Sequence, residues 1–355
     1  MQTFRVGILG ATGIVGQQFI TLLQDHPWFE ISALAASDKS SGKPYGEAVH
    51  WVQDSPLPAS VAEMPVLPAK PDLPCDLVFS ALGASAAETI ESAFAEAGYP
   101  VVSNASAFRM DPVVPLLIPE VNPDHVDLIE KQHTRGEDKR GGFIVTNPNC
   151  STIGLVLGIY PIWKRFGIRR MVVTTVQAVS GAGYPGLAAL QIMGNVIPNI
   201  SGEQEKIENE PLKILGKLVQ GRIQPARMQI SAQCNRVPVR DGHLVSVSLE
   251  LETKAAVEDV REALETFVSP LAEYELPSAP KHPVVFLDDP FRPQPLKDLR
   301  TAGGMSVTVG QLAPCPVLHY RLVSLVHNTI RGAAGAAILN AEWLAVSGYL
   351  QKRDA

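Results

Sequence analysis

Basic patches, long apolar runs and paired cysteines are all missing from this 355-residue chain. Only 19% of its residues are charged, and 30 Lys and Arg against 36 Asp and Glu leave a net charge of −6 with the two signs interspersed. With no basic face to meet phosphate backbones, nucleic-acid binding is not expected. The longest apolar runs, such as 155–162, reach about eight residues before a proline or a charge, whereas a bilayer span needs roughly 20. No membrane partner is expected either. Residues 1–5 run into a strand pattern without the basic segment, apolar stretch and cleavage site of a secretory leader, so the expected location is cytoplasmic. The four cysteines, Cys75, Cys150, Cys234 and Cys315, stand far apart, with no C-x-x-C pair and no histidine at ligand spacing. That argues against a zinc site or a disulfide framework and leaves isolated thiols, most of which sit in proteins as small buried hydrophobes.

What is present is 46% hydrophobic residues, enough for two cores at about 150 residues per domain. Residues 4–9 read as a short buried strand, followed by a glycine turn and an amphipathic stretch containing Phe19, Leu22 and Leu23. A second strand is expected at 31–36, a third at 76–82, a helix at 84–97 and a fourth strand at 100–103. Strands alternating with helices predict a parallel, doubly wound sheet. The charged, glycine-rich stretch 134–142 reads as an exposed loop near a boundary. Beyond Cys150 the runs 170–179, 229–237 and 244–252 alternate like antiparallel strands with one wet face, and 203–218 and 258–268 read as helices. The second region is therefore α+β. The Ala-rich stretch 329–346 predicts one long helix returning to the first domain, giving domains of 1–149 plus 328–355 and of 150–327.

Gly10, Gly13 and Gly16 form G-x-x-G-x-x-G directly after the first strand, where backbone N–H groups can meet a pyrophosphate at a helix start. A tight strand-to-helix turn would need glycines too, but the position is the one the cofactor motif requires. Thr12, Ile14 and Val15 belong to the same turn. At the end of the second strand, where an NAD site places an acid, the chain reads Ala36-Ser37-Asp38-Lys39-Ser40-Ser41-Gly42-Lys43. Ser37 and Ser40, with Lys39 and Lys43 nearby, suit a 2′-phosphate, so NADP(H) is expected over NAD; Asp38 speaks against it, and a solvated loop would look similar.

Asn147-Pro-Asn149-Cys150-Ser-Thr precedes an apolar helical run, so Asn149 is expected to cap a helix with Cys150 in its first turn. Free N–H groups and the positive dipole end favour a thiolate there. An ordinary thiol is only ~3% ionised at pH 7, so full ionisation would add up to about thirtyfold in nucleophile. The candidate base is His243, which follows a glycine and precedes a strand. Arg236, seven residues earlier, offers a fork for a carboxylate, although surface pairing is the commoner fate of an arginine.

These segments, with Ser103-Asn104-Ala-Ser-Ala-Phe-Arg109, Gln177 through Ser180-Gly181-Ala-Gly-Tyr-Pro, and Asn328-Thr-Ile-Arg-Gly-Ala-Ala-Gly, together resemble the aspartate-semialdehyde dehydrogenase family in its archaeal and fungal branch. The resemblance runs in order along nearly the whole chain. It implies a Rossmann-type NADP-binding domain and an α+β catalytic and dimerisation domain with a mixed or antiparallel sheet. It further implies Cys150 as nucleophile, His243 as acid/base catalyst and Gln177 as a positioning group. Arg236 and Glu203 would meet the substrate α-carboxylate and amino group, and Lys206 and Arg109 the phosphate, with Asn104 beside them. Glu205 competes with Glu203 for its role. Gly10, Thr12, Gly13, Ile14, Val15, Ser37, Ser40, Ser180, Gly181 and Asn328 would hold NADP(H). The implied reaction is reduction of 4-phospho-L-aspartate to the semialdehyde through a cysteine thioester, in lysine, threonine and methionine biosynthesis. The implied assembly is a homodimer or homotetramer, with no metal.

Malonyl-CoA reductase resembles the same branch and shares the thioester and hydride steps, but has no leaving phosphate for Arg109 and Lys206. N-acetyl-glutamyl-phosphate reductase usually reads N-P-G-C where Asn149 stands here. A non-catalytic NADP-binding redox sensor would often lack partners for its cysteine, whereas Gln177, Arg236 and His243 occur together.

Overall fold

The run Phe4–Leu9 forms β1, the hub of a six-stranded sheet with Phe29–Ala36 (β2), Val66–Pro68 (β3), Leu77–Ser80 (β4), Pro100–Ser103 (β5) and Phe143–Thr146 (β6). The computed structural model describes residues 3–135 and 141–353; positions 136–140 of the expected loop at 134–142 lie outside them. The order is β3-β2-β1-β4-β5-β6, all strands parallel. Every residue of β4, β5 and β6 is buried, as both faces of a parallel sheet are covered. The strand order reverses between β1 and β4, opening the crevice at their carboxyl ends where such sheets bind ligands.

The second sheet uses Ile168–Gln177 (β7), Gln229–Arg236 (β10), His243–Leu251 (β11), Val284–Phe286 (β12), Val307–Pro314 (β13) and Tyr320–Val326 (β14). Lys217–Val219 (β8) and Arg222–Gln224 (β9) form a separate hairpin. Its order is β10-β7-β11-β14-β13-β12. The alternating pattern of 229–237 pointed to an antiparallel strand, but β10 runs parallel to β7. Alternation reports which face is wet, not which way the chain runs. This pairing sets Arg236 opposite Gln177 at one end of the sheet, and β11, antiparallel to β7, begins with His243 at that same end.

The helix Cys150–Phe166 lies across β11 and β14 and fills the second core with Ile153, Val156, Leu157 and Ile159. The sequence predicts one α-helix over 329–346; a π-helical turn, Ile330–Ala334, instead precedes the α-helix Gly335–Val346. The turn carries buried Arg331, whose Nη2 meets buried Glu120 at 2.7 Å. The helix that follows packs Ala337, Ile338, Ala341 and Leu344 into the core of the first sheet. Among the described residues no helix is long and apolar enough to cross a membrane, and no group of three or more His, Cys, Asp or Glu is arranged to hold a metal.

Candidate active site

The glycine turn joins β1 to the helix Ile14–Leu23 with Gly13 as its N-cap. Two of its glycines are architectural. Gly10 has φ +76°, and a Cβ there would lie 2.8 Å from the Ala81 carbonyl oxygen; at Gly16 it would lie 2.4 Å from the Gly10 oxygen. At Gly13 a Cβ would come no nearer than 3.4 Å to anything beyond its chain neighbours, so its glycine leaves an open approach to the helix N-terminus. Such a cradle fits a dinucleotide pyrophosphate. Thr12, Ile14 and Val15 are half-buried around it. Ser37 and Ser40 form a turn after β2, Ser40 N–H donating to the Ser37 carbonyl at 2.9 Å, and Asp38, Lys39 and Lys43 are exposed beside them.

Asn149 caps the Cys150–Phe166 helix as expected, its Oδ1 accepting from Ser151 N–H at 2.9 Å and Thr152 N–H at 3.3 Å. Its amide donates to Glu203 Oε2 at 2.8 Å, and Glu203 also receives Lys206 Nζ at 2.8 Å and Gln177 Nε2 at 3.2 Å. Burial raises the Glu203 pKa, but Lys206 and the two amide donors outweigh it and hold the carboxyl below its usual range. Arg109, 7% exposed, pairs its Nη1 with Glu210 at 3.0 Å and donates from Nη2 to the Asn104 carbonyl at 2.7 Å; its Nε is buried without a partner. Asn104, just beyond β5, donates to the Ser80 carbonyl at 3.0 Å and accepts from Asn147 at 2.8 Å.

At the end of the second sheet Arg236 Nη1 donates to the Ala178 carbonyl at 2.7 Å, and His243 Nδ1 accepts from Ala178 N–H at 3.0 Å. His243 Nε2 is buried, unpartnered and turned toward Gly181, where a Cβ would meet Arg236 Nη1 at 2.7 Å and Nε2 at 3.1 Å. Asn328 ties this end together, its Oδ1 accepting from Gly242 N–H and its Nδ2 donating to Ser180 Oγ, both at 2.8 Å. The π turn sets Gly332 against the nucleophile candidate, so close that a Cβ would lie 2.6 Å from that of Cys150. The sequence-predicted catalytic and substrate residues are thus brought together.

One expectation fails. The helix start does not lower the thiol: burial, and then the charge of Glu203, push Cys150 up to about 12, against Arg109, Arg236 and the Ser151 N–H. His243 moves the opposite way, down to about 3, through burial and then the neighbouring Arg236. Both groups are neutral near pH 7. A cavity of about 310 Å³ beside the cluster is lined by Ile14, Gln18, Ser180, Tyr184, His327 and others, but not by Cys150, Arg236 or His243. Cys150 itself is half-buried beside it. Sequence reasoning missed Asn147, Glu210, Lys213 and Gly332; for Glu210 and Lys213 the available signal was their spacing with Glu203 and Lys206 along one helix face.

Residues 5–129 match the family model described as "Semialdehyde dehydrogenase, NAD binding domain", and residues 159–331 match "Semialdehyde dehydrogenase, dimerisation domain". The aspartate-semialdehyde dehydrogenase of Methanothermobacter thermautotrophicus is 52% identical over 95% of this chain and 98% of its own length. That of Schizosaccharomyces pombe is 45% identical over 98% and 99%. The crystal structure of the Candida albicans aspartate semialdehyde dehydrogenase with NADP superposes with a TM-score of 0.90 at 42% identity, covering 98% of this chain and all of that one. A doubly wound sheet with a glycine turn, joined to a mixed sheet that presents a cysteine, a histidine and an arginine together, defines a two-domain dehydrogenase of the oxidoreductase class. Within that class the chain belongs to the aspartate-semialdehyde dehydrogenase family.

Proposed function

We propose that the protein reduces 4-phospho-L-aspartate to L-aspartate 4-semialdehyde with NADPH, releasing phosphate, through a thioester on Cys150. The observation that carries the reading is the cluster at the Cys150 helix start, where Asn149 and Gln177 both donate to Glu203, Arg236 and His243 both bond Ala178, and Gly332 is set against the Cys150 Cβ. Gly10, Thr12, Gly13, Ile14 and Val15 would hold the nucleotide's pyrophosphate, Ser37 and Ser40 its 2′-phosphate, and Ser180, Gly181 and Asn328 its portion nearest the thiol. When bound, NADPH supplies the hydride.

Arg236 holds the substrate α-carboxylate and Glu203 its amino group. A carboxylate on Arg236 cancels the charge that helps hold His243 down, so the ring gains proton affinity as substrate arrives. Cys150 sulfur then attacks the acyl carbon and the bond to the phosphate oxygen breaks. The thiol proton passes to the leaving group, which departs as hydrogen phosphate against Arg109 and Lys206, while His243, its Nδ1 engaged by Ala178 N–H, donates from Nε2 to the oxygen where charge develops. Gln177 and Asn149 keep the acyl chain and the helix start in register. After hydride reaches the thioester carbon, the carbon–sulfur bond breaks, the aldehyde leaves, and His243 passes a proton from solvent back to the sulfur.

The working units are 1–149 with 328–355, which carries the nucleotide, and 150–327, which carries the thiol and the interface of a homodimer. The outward face of the second sheet, with Val172, Thr174, Ser231, Gln233, Ser246, Ser248 and Val323, is uncharged at its centre and flanked by Arg170, Glu250 and Arg321. A buried interface core is depleted in charge in this way.

The test is NADPH oxidation with aspartyl phosphate and with malonyl-CoA, on the intact chain and on Cys150→Ser. Turnover with aspartyl phosphate that the substitution abolishes is the expected result. Preference for malonyl-CoA would overturn the substrate, and unchanged turnover in the serine variant would overturn the thioester.

A further inference from the structure

The helix Glu203–Ile214 carries ionisable side chains at 203, 206, 210 and 213, a spacing that lines one face. Glu203, Glu210 and Lys213 are buried, and buried charge persists only where it is paired and hydrogen-bonded. Glu203 and Lys206 turn toward the thiol helix. Glu210 and Lys213 reach instead to the segment that bears Arg109. Lys213 Nζ donates to the carbonyl oxygens of Arg109 at 2.7 Å, Asp111 at 2.7 Å and Val114 at 2.8 Å, using all three protons of an ammonium. Glu210 Oε1 takes the Arg109 guanidinium at 3.0 Å while its Oε2 accepts the N–H of Asn149, the residue before Cys150, at 2.7 Å. Arg109 is thus gripped at both ends from one helix, and that helix is also tied to the start of the nucleophile's helix.

We propose that Lys213 is a positioning residue for the phosphate site, fixing the backbone from Arg109 to Val114 so that the guanidinium, braced by Glu210, stands at a set place relative to Cys150. The inference rests on Arg109 as a phosphate ligand in the function proposed above. Lys213 itself is 6% exposed and meets no reacting atom. Packing alone would be served by a methionine of similar length; only an ammonium draws three carbonyls to one point. A displacement of about 1 Å at a binding group can cost orders of magnitude, so a loosened segment is felt at the phosphate before anything else.

The experiment measures phosphate-dependent reduction of NADP+ by aspartate semialdehyde on the full chain. Lys213→Met is expected to raise KM for phosphate roughly tenfold or more while KM for NADP+ and for the aldehyde stays within about twofold, and Lys213→Arg to recover part of the loss. A merely structural lysine would lower the melting temperature and the active fraction and leave all three KM values in place, which would overturn the proposal. Should Lys213→Met not fold, Lys213→Arg decides alone. Its planar fork cannot aim three N–H groups at converging carbonyls, so a phosphate KM raised about threefold or more supports the role and an unchanged one overturns it. Absence of phosphate-dependent turnover in the unaltered protein would refute the proposed function instead, which separates the two failures.

Discussion

Burial sets the resting charges at the centre of this site. With its thiol pushed up to about 12, Cys150 has a thiolate fraction at pH 7 more than two orders of magnitude below the ~3% of an ordinary cysteine. Cys315 is the contrast. The sequence places it among small buried residues, yet like Cys150 it is half-buried, here between β13 and β14, and the N–H groups of Leu318 and Val317 hold its thiol below the usual value. In the ligand-free protein iodoacetamide should therefore label Cys315 first. Labelling of Cys150, followed by mass spectrometry, should be slow and keep rising with pH to at least about 10. A plateau in Cys150 labelling near pH 7 to 8 would mean a thiolate already formed. Cys150, His243, Arg236 and Gln177 were legible as residue types in a pattern. Their protonation was not, because the helix start that argued for a thiolate is local, while the burial and the Glu203 charge that overrule it come from elements far along the chain. Glu210 and Lys213 stayed hidden for the same reason, since their partners lie 61 to 104 residues away.

Among elements, strand β1, the glycine turn and the thiol helix were legible because each has an internal signal: a buried run, glycines before a helix, a cap before an apolar run. The three-residue strands β3 and β12 were not, being shorter than one cycle of any pattern, and the direction of β10 depends on its neighbour. The glycine turn gives a prediction that separates architecture from binding. Gly16→Ala drives a methyl to 2.4 Å from the Gly10 carbonyl oxygen, within the turn's own backbone, so it should cost about 2 kcal/mol or more of stability and be seen as a lowered melting temperature. Gly13→Ala meets no such clash, its nearest non-neighbouring atom being the Gly10 oxygen at 3.4 Å; it should melt close to the parent and bind NADPH roughly tenfold more weakly in a fluorescence titration. If Gly13→Ala kept full NADPH affinity, the pyrophosphate would not lie at this turn.

At the scale of the whole molecule, the candidate site is a product of two sheets and one returning segment. Asn328 and Gly332 reach it from the strand that leaves the second sheet, and Asn147 is held by Asn340 at 2.7 Å from the helix that completes the first core. The second sheet spends one face on the thiol helix and leaves the other outward, where Val172 in β7 is 53% exposed opposite Ser248 and Ser231. In a two-fold dimer built on that face every residue appears twice across one patch. Val172→Glu therefore places two carboxylates in a charge-depleted interface core and should weaken association by roughly 100-fold, since desolvating unpaired charge costs several kcal/mol. Sedimentation velocity on the parent and the variant checks this, with a dimer expected for the parent and a monomer at micromolar concentration for the variant. Because Val172 faces away from the Cys150–Phe166 helix, the monomer should keep its melting temperature within a few degrees. A variant that stays dimeric would place the interface on another surface and leave this sheet face to solvent.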